Sequence, residues 1–320
     1  MQSKNNLFKK ESKLYLALYN IPISIYFVNA YRKEILACFK ISKEFFMIRI
    51  ESLSHKSKDL RKDLFKVCCS NGGHIASALS CLDILVTLYY SGLFKFKPET
   101  PNWEDRDWFF LSKGHAELAL YCILADLHFF PNDWLITRYR NGDCFLGGHP
   151  DIRIPGVEIT SGALGHGLGI AAGVALASKK DQIVCNNYVL LGDAECTEGS
   201  IWEAALFASF HKLNNLVAII DRNHRSALDC TENFCALDPL EKKWEAFGWE
   251  VKIINGHDFN QLIDVLEYLN SSQRKKPFAI IAETVKGKGI SFLENDPMCH
   301  MKGAFSDHEI HLANCELEIV

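Results

Sequence analysis

The sequence has 320 residues, of which 48% are hydrophobic and 23% are charged. These values are typical of globular proteins, and the length suits one large domain or two ordinary ones. The formal net charge of −4, without a long basic block, argues against a nucleic-acid partner. The 12 cysteines are irregularly spaced and form no Cys-x-x-Cys pair. This favours reduced thiols in a cytoplasmic protein over a zinc site or a disulfide framework.

Residues 1–50 form an N-terminal extension whose role the sequence leaves open. Several lysines precede a mostly apolar run, Leu14–Ala30, which is the arrangement of a signal anchor. Asn20 and Pro22 interrupt this run, and it is shorter than the roughly 20 residues of a membrane helix, which argues against a membrane or export segment. Two other interpretations remain, namely an additional docking segment and sequence upstream of a native start at Met47.

The centre of the sequence is a predicted strand–helix–strand unit. The apolar runs Tyr188–Leu191 and Leu216–Ile220 have the length of buried strands, and the helical pattern of Ser200–Lys212 separates them. The two strands are therefore expected to be parallel, with a right-handed crossover. Asp193 and Asn223 follow the carboxyl ends of these strands, where ligands bind in open α/β sheets. Their oxygen atoms suit Mg²⁺, although a turn and an ordinary loop residue explain the spacing equally well.

Further apolar runs extend this unit into a sheet. Phe109–Leu111, Trp249–Ile254 and Pro277–Ala282 are strand candidates, and helical patterns lie between them. Strands that alternate with helices predict an α/β domain with a doubly wound, mostly parallel sheet and helices on both faces. We expect this domain to occupy residues 51–320.

A glycine-rich loop lies ahead of the central unit. Thr160–Gly173 reads TSGALGHGLGIAAG, which indicates close backbone approach to a ligand or tight helix packing. Its segment Gly167–Ala172 also fits the dinucleotide fingerprint G-x-G-x-x-A. A dinucleotide site is disfavoured because the preceding strand candidate, Val157–Thr160, is poor. In addition, no acidic residue ends a following strand at the distance that a ribose contact requires.

Three Gly-His pairs also precede Asp193, at His74, His115 and His149. One such histidine is more often structural than catalytic. Together with the segment GDA-x(2)-T-E-G-S-x-W-E-A-A…N, however, they resemble the motifs of transketolases and follow the order of that family. The resemblance covers about residues 50–305 and implies the thiamine diphosphate-binding fold.

The resemblance assigns a diphosphate site to the central unit. Asp193, Asn223 and the backbone carbonyl of Arg225 are expected to hold Mg²⁺ on the diphosphate of thiamine diphosphate. Ala194 replaces a glycine of the family motif, so its N–H is kept, but its methyl group is unfavourable if the site requires a positive φ. Glu198 is expected near the cofactor, at the contact with a second subunit.

The resemblance also assigns the remaining residues of the site. Gly162 and Leu164 match the family's Thr-Thr/Ser-Gly-x-Leu-Gly segment and are expected to border the cofactor rings. His115 is expected near the cofactor diphosphate and His149 near the bound two-carbon unit. The expected active-site histidines are His74, His115, His149 and His300.

Full transketolases continue for two more domains, the next of which binds the aminopyrimidine ring. The resemblance therefore predicts the N-terminal subunit of a split transketolase, inactive without a separately encoded C-terminal subunit. With that partner it is expected to transfer a two-carbon ketol unit between sugar phosphates, as in the pentose phosphate pathway. A homodimer or an assembly with two copies of each subunit is expected.

Two alternatives remain beside this interpretation. The first is a subunit of another thiamine diphosphate enzyme, such as a 2-oxoacid dehydrogenase or a ketol transferase of specialised metabolism. The second is a degenerate, non-catalytic binding protein. The substitution at Ala194 and the altered run from Arg225 to Cys230 motivate this second alternative.

Overall fold

The structure is a computed structural model that describes residues 25–142, 144–227, 229–271, 273–294, 296 and 300–318, with side chains from residue 47 onward. It divides into two compact units, Met1–Arg49 and Ile50–Val320. In the first unit the described backbone is helical, and the predictions for Leu14–Ala30 fall mostly outside the described residues. Among the described helices, none has the length and hydropathy needed to cross a membrane.

Helices and strands alternate along the described chain. The helices are α1 (Ile25–Asn71), α2 (Ile75–Tyr90), α3 (Glu117–Asp126), α4 (Trp134–Thr137), α5 (Gly167–Lys180), α6 (Gly199–Phe210), α7 (Thr231–Phe234), α8 (Leu240–Ala246), α9 (Phe259–Ser271) and α10 (Asp307–Leu317). The strands are β1 (Trp108–Leu111), β2 (Asn187–Gly192), β3 (Leu216–Arg222), β4 (Glu250–Asn255) and β5 (Phe278–Glu283). Short 3-10 helices, Gly114–Ala116 and Ala194–Thr197, follow β1 and β2.

The described strands form one parallel sheet in the order β1-β2-β3-β5-β4. In the central register, Leu190 of β2 pairs with Ile219 of β3, which pairs with Ile280 of β5. Side chains that point to opposite faces, such as those of Leu190 and Leu191, are equally buried. Both faces of the sheet are therefore covered, as parallel sheets require. The predicted doubly wound α/β fold is confirmed.

One face of the sheet packs against α5, α6 and α8. Ala172, Ile201 and Trp244 of these helices share a buried core with Val189 and Ile220 of the strands. Helix α2 is buried along almost its whole length and packs against α3 and α9. The apolar composition that predicted a buried helix here agrees with this packing.

Two predicted elements differ in detail from the structure. The helix expected over Ser112–Leu127 begins as the 3-10 turn Gly114–Ala116 and becomes α-helical only at α3. The C-terminal tail, for which the sequence left both a helix and disorder open, contains α10. Ser306 and Glu309 start this helix with a capping box, in which each side chain accepts a bond from the other residue's backbone N–H.

The parallel sheet brings four chain segments to one edge. Because all carboxyl ends point the same way, the segments that follow β1, β2, β3 and β5 meet there. These segments are Ser112–His115, Asp193–Glu195, Asn223–Ser226 and Thr284–Lys286.

Candidate active site

The two oxygen-bearing side chains predicted at this edge lie in adjoining loops. Asp193 is 1% exposed, and its Oδ1 atom accepts a hydrogen bond from the Ala194 N–H at 2.7 Å. Its Oδ2 atom accepts one from the His224 N–H at 2.6 Å, which ties the loop after β2 to the loop after β3. The amide of Asn223 donates to Ser80 Oγ at 3.0 Å, and its oxygen accepts from the Arg225 N–H at 3.0 Å.

A left-handed residue shapes the loop after β3. His224 has a φ of 60°, a conformation that residues other than glycine rarely adopt. This turn directs the His224 N–H to Asp193 while Asn223 and Arg225 stay on either side of it. The loop therefore holds a side-chain amide oxygen and a backbone carbonyl next to the Asp193 carboxylate.

Asp193 is also an electrostatically strained group. Burial raises the pKa of its carboxyl to about 6, and the like charge of Asp221 contributes to the increase, whereas Arg222 opposes it. The Arg222 guanidinium lies 3.3 Å from the carboxylate but also pairs with Glu232 and Asp238, each at 2.9 Å. A buried carboxylate that resists ionisation gains from a divalent cation beside it.

Ala194 does not create the backbone strain that its replacement of a glycine suggested. It lies in a 3-10 helix and is not one of the described residues with a positive φ. Its N–H donates to Asp193 Oδ1 and is therefore already engaged within the chain. The expected use of this N–H for a phosphate oxygen requires Asp193 to turn away from it.

The four predicted histidines lie in one cluster. The ring centroid of His74 is 6.1 Å from that of His115, 5.5 Å from His149 and 5.4 Å from His300. The His115 and His300 rings are 5.2 Å apart. Residues from four separate parts of the sequence thus converge on one small region.

Three of these imidazoles are neutral at pH 7. Burial lowers the pKa of His115 well below its ordinary value, and Lys113 lowers it further. Burial and the nearby Lys286 lower the pKa of His300 to about 4. Burial likewise lowers the pKa of His149. A neutral imidazole has one donor and one acceptor nitrogen, so it can exchange a proton with a sugar hydroxyl.

The glycine-rich loop lies directly against the histidine segments. Gly162 has a φ of +138°, and a Cβ atom there would lie 3.0 Å from the ring of His149. A Cβ atom on Gly114 would lie 2.9 Å from the backbone nitrogen of Gly162. Leu164 follows in the same loop and is half-buried. Only glycine permits this approach, which brings the predicted ring-binding loop next to His115 and His149.

A buried carboxylate that the sequence analysis missed holds this arrangement together. Glu195 is 1% exposed, and its two oxygens accept hydrogen bonds from the Gly165 N–H at 2.9 Å, the Gly192 N–H at 3.0 Å and the Ser112 hydroxyl. It therefore joins the glycine-rich loop to the ends of β1 and β2. Its position two residues after Asp193, close behind an apolar strand, was the available signal.

A second missed feature is a cation beside the histidines. Lys286 is 2% exposed, and its Nζ atom donates to the Ser226 carbonyl at 2.7 Å and lies 3.5 Å from His300 Nδ1. Burial lowers its pKa to about 8, and the charge of Lys113 lowers it further. Among the described residues, no carboxylate lies within ion-pair distance of its ammonium group, so the cation faces the site without a counter-ion.

Glu198 lies apart from the buried cluster. Its residue is exposed and forms the N-cap position of α6, and its Cβ atom would contact a side chain built on Gly165. The helix that follows exposes apolar side chains, with Phe210 79% and Leu206 61% accessible. The side chain predicted at a subunit contact thus adjoins an apolar helix face.

The oxygen donors of the site fit a hard cation. Asp193 supplies a carboxylate, Asn223 an amide oxygen and Arg225 a carbonyl, and Mg²⁺ binds such ligands and completes its shell with phosphate and water oxygens. Across the part of the chain that is described, no set of three or more His, Cys, Asp or Glu side chains is arranged to hold a metal by itself. The site thus suits a cation that arrives with a phosphate-bearing ligand.

The chain is similar to transketolases in sequence. The family model for the thiamine diphosphate binding domain of transketolase matches residues 60–317. One of the two kinds of subunit that make up the apulose-4-phosphate transketolase of Actinobacillus succinogenes is 42% identical over 271 residues, which cover 84% of this chain and 96% of that protein. A 6-deoxy-6-sulfo-D-fructose transketolase subunit from Clostridium sp. is 39% identical over 250 residues, which cover 78% and 90%.

The chain is also similar to transketolases in structure. The crystal structure of transketolase from Campylobacter jejuni superposes with a TM-score of 0.75 at 32% sequence identity. The match covers 84% of this chain but only 43% of that transketolase. The chain therefore spans nearly the full length of the subunit relatives and less than half of the solved enzyme.

Proposed function

The chain belongs to the transketolase family and carries its thiamine diphosphate binding domain, and we propose that it transfers a two-carbon ketol unit between sugar phosphates together with a separate C-terminal subunit. The predicted N-terminal, diphosphate-binding subunit is confirmed by the subunit relatives, whose length this chain nearly spans. The observation that carries the catalytic proposal is the convergence of His74, His115, His149 and His300 beside Asp193 and Asn223.

Asp193, Asn223 and the Arg225 carbonyl would hold Mg²⁺ on the diphosphate of the cofactor. Their oxygens suit this ion, and because the pKa of Asp193 is raised, a nearby cation would stabilise its ionised form. The Lys286 ammonium would add a second positive charge for the diphosphate, because it has no carboxylate partner among the described residues. When bound, thiamine diphosphate supplies the nucleophile and the electron sink for carbon–carbon bond cleavage.

The histidine cluster would handle the protons of the sugar. His115, His149 and His300 are neutral at pH 7 because their pKa values are lowered, so each can accept a proton from a hydroxyl or donate one to it. Gly162 and Leu164 would shape the floor on which the cofactor rings lie, since the loop that contains them contacts His149. The roles of these residues follow from position and chemistry.

The sugar is proposed as a ketose with an anionic end. The relatives are named for apulose 4-phosphate and for 6-deoxy-6-sulfo-D-fructose, which carry a phosphate and a sulfonate. Ketol transfer from either type of sugar uses the same cofactor chemistry, and the resemblance places most anion-binding arginines in the part that the partner supplies. A ketose phosphate donor and an aldose phosphate acceptor in the cytoplasm stay predictions, as does a role in the pentose phosphate pathway.

We further propose that Glu198 and α6 face a second subunit. The helix begins directly after Glu198 and exposes Leu206, Phe207 and Phe210 on its surface. The occupant of this face is proposed to be the C-terminal subunit, because the part of a full transketolase that this chain does not span has to close the cofactor site. An assembly with two copies of each subunit would satisfy this requirement.

The proposed function is tested by titrating thiamine diphosphate with Mg²⁺ into the chain, with and without a co-expressed candidate C-terminal subunit, by calorimetry. When the partner is present, we expect tight, Mg²⁺-dependent binding, and at least about tenfold weaker binding for Asp193→Ala. Asp181→Ala is the matched control, since Asp181 is exposed at the end of α5. Binding of equal strength without Mg²⁺, or no binding by the folded complex, would contradict the proposal.

A further inference from the structure

A fully buried carboxylate lies behind the histidine cluster without a role in the site described so far. Glu117 is the first residue of α3 and is 0% exposed. It directly follows the segment Ser112–Ala116, which carries His115, but it lies outside the motif by which that segment was recognised. An ionisable group in such a position is costly to bury unless hydrogen bonds or charges compensate it.

The contacts of Glu117 point towards His74. Its Oε1 atom accepts a hydrogen bond from the Tyr139 hydroxyl at 2.8 Å and lies 3.5 Å from His74 Nδ1. Burial and the charge of Glu117 raise the pKa of Tyr139, so this hydroxyl stays protonated and donates. Among the described residues, neither Glu117 Oε2 nor His74 Nδ1 has a hydrogen-bond partner. An unpartnered acceptor and an unpartnered imidazole nitrogen thus face each other at short range.

The backbone in front of His74 is shaped to admit this arrangement. Gly73 has a φ of +146°, and a Cβ atom there would lie 2.5 Å from the Tyr139 hydroxyl oxygen. The same glycine exchanges two backbone hydrogen bonds with Lys302, at 2.9 and 3.0 Å. Any other residue at position 73 would push Tyr139 away from Glu117. The close passage of the hydroxyl over Gly73 indicates that the Tyr139–Glu117 bond is a fixed part of this site.

The other side of His74 faces the reacting groups. Its ring lies between the rings of His115, His149 and His300, whereas Nδ1 is on the side of Glu117. An imidazole has two nitrogens, and the partner of one decides which of them carries the proton. A carboxylate that accepts from Nδ1–H leaves Nε2 to exchange a proton with a ligand.

We propose that Glu117, held by Tyr139, is a positioning residue that keeps a proton on Nδ1 of His74 and so presents Nε2 to the sugar. A shift of a few tenths of an ångström closes the 3.5 Å separation to a hydrogen bond. The catalytic meaning of this proton rests on the proposed ketol transfer, but its location on the ring does not. A leucine in place of Glu117 would fill the same space without burying a charge.

The proton position is tested directly by nuclear magnetic resonance on the full chain labelled with ¹⁵N-histidine, with His74→Asn used for assignment. We expect a protonated Nδ1 on His74 in the wild-type chain and a shift of the proton to Nε2 in Glu117→Leu/Tyr139→Phe. The double variant removes the carboxylate and its hydroxyl partner together, so neither is left unpaired. A bare Nδ1 in the wild-type chain would overturn the proposal even if the double variant did not fold.

The catalytic consequence is measured on the complex with the C-terminal subunit. We expect the double variant to lower kcat on the order of tenfold to a hundredfold with little change in KM, because a positioned acid or base contributes about 10²–10⁴. Tyr188→Phe is the control, since this buried hydroxyl in β2 has no partner among the described residues. An unchanged kcat in a variant with a displaced proton would refute the positioning role. A wild-type complex without ketol transfer would refute the proposed function and leave the spectroscopic result standing.

Discussion

The Lys113 ammonium and the Asp221 carboxylate form an ion pair whose side chains are only 1% and 0% exposed. Asp221 also accepts hydrogen bonds from Ser80 at 2.8 Å, from Thr284 and, more weakly, from Asn223 at 3.4 Å. Burial alone would lower the pKa of Lys113, but the charge of Asp221 raises it above the ordinary value. The pair therefore stays ionised inside the protein, directly below the loops that carry the site.

Lys113→Met is expected to lower the free energy of unfolding by about 3–5 kcal/mol, because it leaves a buried carboxylate without its counter-charge. Urea denaturation of the full chain measures this change. Lys242→Met is the control, since Lys242 forms an exposed pair with Glu245 and its removal is expected to have no measurable effect. Equal unfolding midpoints for the two variants would contradict the structural role of the pair.

Glu195→Gln is expected to loosen the glycine-rich loop. A glutamine has one acceptor oxygen, so at least one of the Gly165 and Gly192 N–H groups would lose its partner and face an amide NH₂ group. The expected cost is about 1–3 kcal/mol. Hydrogen exchange should become faster at Gly165, whereas the exposed Glu203→Gln on α6 should leave it unchanged. Unaltered exchange in Glu195→Gln would show that the loop is held by other contacts.

Lys286 predicts a pH dependence of cofactor binding. Its pKa is lowered to about 8, so its ammonium is charged below this pH and loses its charge above it. Since the diphosphate is an anion, the affinity for Mg²⁺–thiamine diphosphate should fall as the pH rises from about 7 to about 9, by up to about tenfold per pH unit above the pKa. Calorimetric titrations across this range measure the effect.

Two variants at neighbouring lysines separate this effect from general changes with pH. Lys286→Met should bind the cofactor more weakly at pH 7 and show a flatter pH profile. Lys288→Met should keep the wild-type profile, because its ammonium pairs with Glu294 at 3.4 Å. A profile of Lys286→Met as steep as that of the wild type would assign the titration to another group.

The exposed face of α6 predicts an assembly defect. Phe210→Asp places a charge on a side chain that is 79% exposed in this chain and is proposed to be covered by the C-terminal subunit. We expect the variant to fold as the wild type does but to separate from that partner in size-exclusion chromatography with light scattering. Val184→Asp is the control, since Val184 is equally apolar and exposed but precedes β2, at the opposite end of the sheet from the site. Co-elution of the Phe210→Asp variant would move the interface elsewhere.

The fold could largely be predicted from the sequence because its strands are buried on both faces. Runs such as Tyr188–Leu191 and Leu216–Ile220 have no polar positions to obscure them, and their order along the chain requires parallel pairing. Helix starts were less certain, because glycine and histidine around position 114 do not show where a 3-10 turn gives way to an α-helix. Ser306 and Glu309 did contain the signal for α10.

The candidate site could be predicted only where residues face a ligand. His74, His115, His149 and His300 were recognised from their motifs, and the structure places their rings side by side. The supporting charges were not predicted. A buried charged residue is unremarkable in a sequence until its partner is known, and that partner lies in each case on another segment. The residues missed in this way are Lys113, Asp221, Glu195, Lys286 and Glu117.

The close passage of the Tyr139 hydroxyl over Gly73 has a consequence for protein engineering. Libraries that aim at new sugars would naturally randomise the histidines and their neighbours, position 73 among them. Every side chain added there collides with Tyr139, so most members of such a library would lose Glu117's partner before any new sugar was tested. Gly73 and Tyr139 should therefore be inherited together as a constant pair while the surrounding positions are varied.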